Sequence, residues 1–140
     1  MRVVRRRLFP GEFDHELIWL VVSLAVFVGG VIWLWLGLPF PRCPFLAMTG
    51  YPCLTCGATR CAIAFAHGDF PRALTWNPLA TIGLCVLLLF DLYAAVVLLG
   101  RLPRLRVVEW TRGEKNALRF TVIALIAANW IYLLAHRAQF

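Results

Sequence analysis

The stretch Leu17–Leu38, LIWLVVSLAVFVGGVIWLWLGL, carries no charge over its whole length. Crossing the hydrocarbon core of a bilayer takes about 20 mostly apolar residues. This run is long enough. Gly29 and Gly30 sit in its middle, a weakness in a soluble helix but a means of close packing between membrane helices. Trp19, Trp33 and Trp35 lie toward its ends, where indoles suit the interface between lipid and water.

A second run, at about residues 78–99, is broken only by Asp91. Asn77 is suited to cap it, Pro78 fits its first turn, and Gly100 suits its end. A third extends over about residues 117–135, with Asn129 as its most polar interior residue. Composition agrees with a membrane reading. Hydrophobic residues make up 61% of the 140 and charged residues 15%. Mean hydropathy is +0.77. A soluble domain is nearer half apolar and a quarter charged. The first span is read as a retained anchor, not a cleaved signal, because its apolar run is long and Leu38-Pro39-Phe40-Pro41 offers no small-residue cleavage site.

The chain carries a net charge of +7. Its basic residues gather at the ends of the apolar runs, which points to anionic headgroups as partners and away from nucleic acid. They also set the expected orientation. Arg2, Arg5, Arg6, Arg7, Arg101, Arg104, Arg106, Arg112, Lys115 and Arg119 fall on one side. Arg42, Arg60, Arg72 and Arg137 fall on the other, ten against four. The N-terminus is expected in the cytoplasm, with segment 39–76 and the C-terminus outside. The loop at 101–116 reads as a headgroup-contacting connector with Trp110 at the interface.

Segment 39–76 holds the unusual chemistry. Pro39, Pro41, Pro44 and Pro52 forbid a long helix early on. Thr59 to His67 reads as a short re-entrant or interfacial helix stopped by Gly68. Asp69 is placed to cap one further turn, with Pro71 inside it. Of five cysteines, Cys85 lies in the second span and Cys61 on the short helix, where packing explains them. Cys43, Cys53 and Cys56 sit among Pro and Gly, where packing explains less.

Three readings stay open. The plainest is a structural disulfide among Cys43, Cys53 and Cys56, permitted in an external compartment. The second is a reactive dithiol, Cys53 with Cys56, in which the helix N-terminus and Arg60 would favour the Cys56 thiolate. The third is a metal site, zinc above all, with Cys43, Cys53 and Cys56 as ligands and Cys61 or His67 as a fourth. Covalent haem is disfavoured because Gly57, not His, follows Cys56. Arg60 and Asp69 are expected to pair. Asp91 is an intramembrane ionisable group, a functional candidate by its depth, and a hydrogen bond with Asn129 is its simpler explanation.

Cys43-Pro44-Phe45, Thr49-Gly50-x-Pro52-Cys53-x-x-Cys56-Gly57-x-Thr59-Arg60, Gly68-Asp69 and Asn77-Pro78-Leu79-Ala80 together resemble the family known as domain of unknown function 2752. The resemblance covers roughly residues 40–100. It implies a small bacterial membrane protein of the cytoplasmic membrane and supplies no activity. The expected architecture is a single all-α membrane domain of three spans plus the short helix. No arrangement of nucleophile, base and oxyanion donors is evident. The leading expectation is therefore a non-catalytic subunit or accessory protein of a larger membrane complex. A thiol–disulfide oxidoreductase and a metal-stabilised scaffold are the alternatives.

Overall fold

The computed structural model describes residues 2–6, 13–39, 43–109 and 111–139. Arg7, Arg42 and Trp110 lie outside them. Three helices are long and apolar enough to cross a membrane: α1 (His15–Trp35), α5 (Pro78–Leu99) and α6 (Arg112–Ala135). Between α1 and α5 come three short ones, α2 (Pro44–Thr49), α3 (Ala58–Ala66) and α4 (Phe70–Trp76). A 3-10 turn, Arg137–Gln139, follows α6. The chain packs as two compact units, one of residues 1–39 and 86–115, the other of residues 40–85 and 116–140.

In the first unit, α1 starts at its cap. Asp14 accepts a hydrogen bond from the Leu17 N–H through its carboxylate, at 3.1 Å. This starts the helix two residues before the apolar run. Asp14 also pairs with Arg104, whose Nε lies 3.8 Å from the buried Glu16. Helix dominates, as expected of an all-α chain, with one addition in the connector at 101–116. Arg104–Glu109 forms a strand, β2, antiparallel to β1 (Arg2–Arg6), with a bulge at Arg2/Val3. The alternating Leu105-Arg106-Val107 suits a strand better than a loop. Farther along, the Ser23 hydroxyl of α1 donates to the Asp91 carboxylate of α5 at 2.9 Å.

In the second unit, α3 and α4 form a tight hairpin. Cys61, Ala64 and Ala73 make its buried centre, with Phe65, Trp76, Ala80 and Leu84 packed around them. Two alanines at the contact let the backbones approach. The turn needs Gly68, which takes φ +76°. It lets the Asp69 N–H reach the Ala64 carbonyl and the Gly68 N–H the Phe65 carbonyl, closing the end of α3. Asp69 then caps α4 by accepting from the Arg72 N–H at 3.1 Å.

Asn77 joins this hairpin to α5. Its side-chain oxygen accepts from the Ala80 N–H at 3.0 Å, as a cap should. Its amide nitrogen faces backward and donates to the carbonyls of Leu54 and Cys56, at 3.1 and 3.0 Å. Asn77 is 1% exposed, so these carbonyls have little access to water in exchange. Losing a cap costs about 1 kcal/mol, and each buried group left unpaired about 1–3 kcal/mol. The Leu54 carbonyl keeps a bond from Asn129, so one carbonyl loses its partner and Asn77→Ala is expected to lower stability by roughly 2–4 kcal/mol. Asn77→Asp keeps the capping acceptor but turns a carboxylate oxygen toward two carbonyls, and should be at least as harmful. Thermal unfolding in mild detergent, followed by helical circular dichroism, measures both. An aspartate variant as stable as the wild type would mean that the two donated bonds contribute little.

Candidate functional site

Cys43 ends the segment before α2, and Pro44 takes the first position of that helix. There its missing N–H costs nothing. Sequence reasoning treated these prolines as barriers to helix and missed α2 for that reason. Gly50 closes it, and the chain turns through Tyr51 and Pro52 to bring Cys53 back beside Cys43. Cys56 follows, and Gly57 starts α3 at φ +77°, a left-handed step that a side chain would strain.

These turns gather three sulfurs. The Cys43 thiol donates to Cys53 Sγ at 3.3 Å. Cys53 Sγ and Cys56 Sγ lie 3.4 Å apart, and all three sulfurs fall within 4.8 Å of one another. The Cys53 N–H points at Cys56 Sγ, 3.1 Å away, and the Thr55 hydroxyl lies 3.3 Å from Cys53 Sγ. Cys56 is buried, while Cys43 and Cys53 are half-buried. So Cys53 occupies the middle of the group and keeps some access to its surroundings.

None of the five cysteines lies at disulfide distance from another in this structure. A bond requires sulfurs about 2.05 Å apart. Hydrogen bonds hold the loop. The Trp130 indole N–H of α6 donates to the Pro52 carbonyl at 3.2 Å. Asn129 donates to the Leu54 carbonyl at 3.5 Å and accepts from the Leu79 N–H at 3.0 Å. Asn129 thus serves the cysteine loop and the first turn of α5, whereas the Asp91 partner is Ser23. The adjacent polar pair Asn129-Trp130 inside an apolar run was the signal for this role.

Neither proposed fourth metal ligand joins the group. Cys61 is fully buried, 3.2 Å from the Thr81 hydroxyl and 3.8 Å from the Asn77 carbonyl. The His67 Nδ1 lies 2.7 Å from the Ile63 carbonyl. Among the described residues Cys43, Cys53 and Cys56 stand as a group of three. Three thiolates suit a soft cation; a structural zinc centre wants four ligands. Nor does Arg60 turn toward Cys56. Its guanidinium lies 4.6 Å from the centre of the Trp76 ring and donates to the Gln139 carbonyl at 3.0 Å. Among the described residues it makes no ion pair with Asp69.

The electrostatics reverse the roles expected of the two close cysteines. Burial pushes the Cys56 thiol up to about 12, reinforced by the Cys53 and Cys43 thiols and opposed by the Cys53 N–H. At Cys53 partial burial also disfavours the thiolate. The Thr55 hydroxyl, the Cys43 and Cys56 thiols and the Thr55 backbone outweigh it and bring the group down to about 7 from an ordinary 9.0. Burial decides for Cys56 because the helix N-terminus is offset by loss of water. Hydrogen bonds decide for Cys53. A thiolate, not a thiol, is the nucleophile. Alkylation by iodoacetamide should therefore modify Cys53 first, with a rate that rises through about pH 7 and falls about tenfold per pH unit well below it. Cys56 should stay unmodified across the same range. Peptide mass spectrometry after timed quenching separates the two, and equal rates at neutral pH would show that the asymmetry is absent.

No curated protein and no solved structure matches the chain. A family model does, over residues 43–90. That span holds the three thiols, the α3–α4 hairpin and the first half of α5, so it is this segment that is similar to the family described as Protein of unknown function (DUF2752).

Proposed function

We propose that the protein is a small membrane component whose loop between α1 and α5 carries a thiol–disulfide exchange centre, with Cys53 as the attacking sulfur. The observation that carries this reading is the position of Cys53, 3.3 and 3.4 Å from two other sulfurs. In the forward direction the Cys53 thiolate attacks one sulfur of a partner's disulfide. That bond breaks, one partner sulfur leaves as a thiolate, and a mixed disulfide forms. Cys43 or Cys56 then gives its proton to the departing thiolate and attacks the Cys53 sulfur. The partner leaves as one thiol and one thiolate, which takes its proton from water, and two electrons have passed to it from this chain. Run backward, the same steps oxidise a dithiol partner. Cys61 and Cys85 take no part.

The placement proposed is the bacterial cytoplasmic membrane, with the N-terminus in the cytoplasm and the thiol loop and C-terminus outside. Pairing of β1 with β2 supports it, since it puts the basic N-terminal segment and the basic α5–α6 connector on one side. Work inside a larger assembly is supported by the exposure of α1, none of whose most apolar stretch is buried within the chain. A second reading is a soft-metal centre, favoured by the mutual approach of the three sulfurs.

One experiment separates these readings. A membrane-impermeant chromogenic aromatic disulfide is mixed with purified protein, with intact cells and with inverted vesicles. Exchange predicts about two chromophores released per chain, the second by the resolving thiol. Cys53→Ser should abolish the fast release, and Cys43→Ser and Cys56→Ser identify the resolver. Fast release that survives Cys53→Ser sinks the exchange reading. Thiols that react only after chelation, with a stoichiometric metal lost, establish the metal centre in its place. Reaction on inverted vesicles alone overturns the orientation.

A further inference from the structure

The hairpin of α3 and α4 carries a second feature, independent of the thiol reading. Its outer side encloses a cavity of about 490 Å³ lined by Arg60, Ile63, His67, Asp69, Arg72 and Trp76, among others. That size suits a small ligand or a headgroup. On α3, residues 60, 63 and 67 follow helical spacing and share one face. Ala64, on the same face, forms the floor of the cavity, while Cys61 lies in the buried centre of the hairpin.

The polar groups of the cavity are unevenly matched. Two guanidinium groups face one carboxylate, which leaves one positive charge. Among the described residues, neither Arg60 nor Arg72 has a carboxylate within ion-pair distance. Asp69 is committed to capping α4. Arg60 is held in place by the Trp76 ring and by the Gln139 carbonyl. A guanidinium has five N–H donors, so most of its fork remains for a ligand. The carbonyl of Ile63 can only accept, so the His67 Nδ1 donates to it and Nε2 remains for the cavity. Ile63 and Trp76 supply apolar wall. Trp76 stands two residues before Pro78, where a helix able to cross a membrane begins. That is the depth at which Trp and lipid headgroups meet.

We propose that this cavity binds a phosphate-bearing anion. Arg60 and Arg72 grip its oxygens through their planar forks, and Ile63 and Trp76 cover the adjoining apolar part. One unbalanced positive charge matches a phosphodiester. Arginine forks fit phosphate oxygens two at a time, which a lysine cannot do. The chemistry is shared by an anionic phospholipid headgroup and by free phosphate, and the two sources can be told apart.

The full chain is purified in an uncharged detergent and examined by native mass spectrometry with phosphatidylglycerol and with phosphatidylcholine of the same acyl chains. Phosphatidylglycerol is expected to be retained over phosphatidylcholine. R60Q and R72Q are each expected to weaken retention about tenfold. R112Q, an arginine at the start of a different helix, should not. Inorganic phosphate is added in parallel. If it fails to displace the lipid, the source is the membrane. If it displaces the lipid with the same dependence on Arg60 and Arg72, the source is soluble phosphate. An R60Q/R72Q protein that keeps its lipid, or an R112Q protein that loses as much, overturns the assignment. Should the glutamine variants lose helical content, R60K/R72K takes their place. Lysine keeps the charge and loses the fork, so retention should still fall severalfold, and retention equal to the wild type overturns the proposal.

Discussion

The amide of Asn77 is the constraint on which the cysteine loop depends. Its oxygen starts α5, and its nitrogen holds the carbonyls of Leu54 and Cys56. Its own carbonyl accepts from the Thr81 N–H and hydroxyl, both at 3.0 Å. A loop beside apolar helices must pair its backbone within the protein, because lipid offers no substitute for water. Asn129 and Trp130 complete that pairing from α6. These bonds fix the loop independently of any link between its sulfurs. A disulfide staple and a working thiol centre are competing uses of the same sulfurs. Hydrogen bonding through amides removes the need for the first.

The hairpin of α3 and α4 then divides its two faces between two environments. The buried centre is made of small residues, Cys61, Ala64 and Ala73, so the helices approach closely and leave no room for a charge. The outer face carries the charge. Cys56 and Arg60 are four residues apart and would meet on a continuous helix. They do not, because Gly57 takes a left-handed step between them. The guanidinium lies over Trp76 instead, and burial raises the pKa of Cys56 while hydrogen bonds lower that of Cys53.

Most of the framework was legible because its signals are local. Apolar length marked the three long helices, and caps at Asn77 and Asp69 marked two starts. The pairing of polar groups was less legible, because it depends on which elements adjoin. Asp91 and Asn129 invite pairing by depth, yet each takes a partner that no spacing reveals: Ser23 for one, the Leu54 carbonyl and the Leu79 N–H for the other. The strand β2 was hidden because its basic residues fit a headgroup-facing loop equally well, and its partner is about a hundred residues away. The three cysteines were picked out correctly as a group. The order of their acidities was less legible, since helix position and nearby arginine argue for Cys56 until burial is known.

Burial also orders the thiols in a way that suits exchange. A centre with three equally acidic thiols would carry thiolates at contact distance, and their repulsion would open the loop. Here hydrogen bonds favour the charge on Cys53, the Cys43 thiol donating one of them. Cys56 holds its proton because it is the least exposed of the three. Formation of a mixed disulfide removes the negative charge from Cys53. With it goes the repulsion that helped hold Cys56 protonated. Where Cys56 is the resolving thiol of the proposed exchange, the first step therefore lowers the barrier to its ionisation.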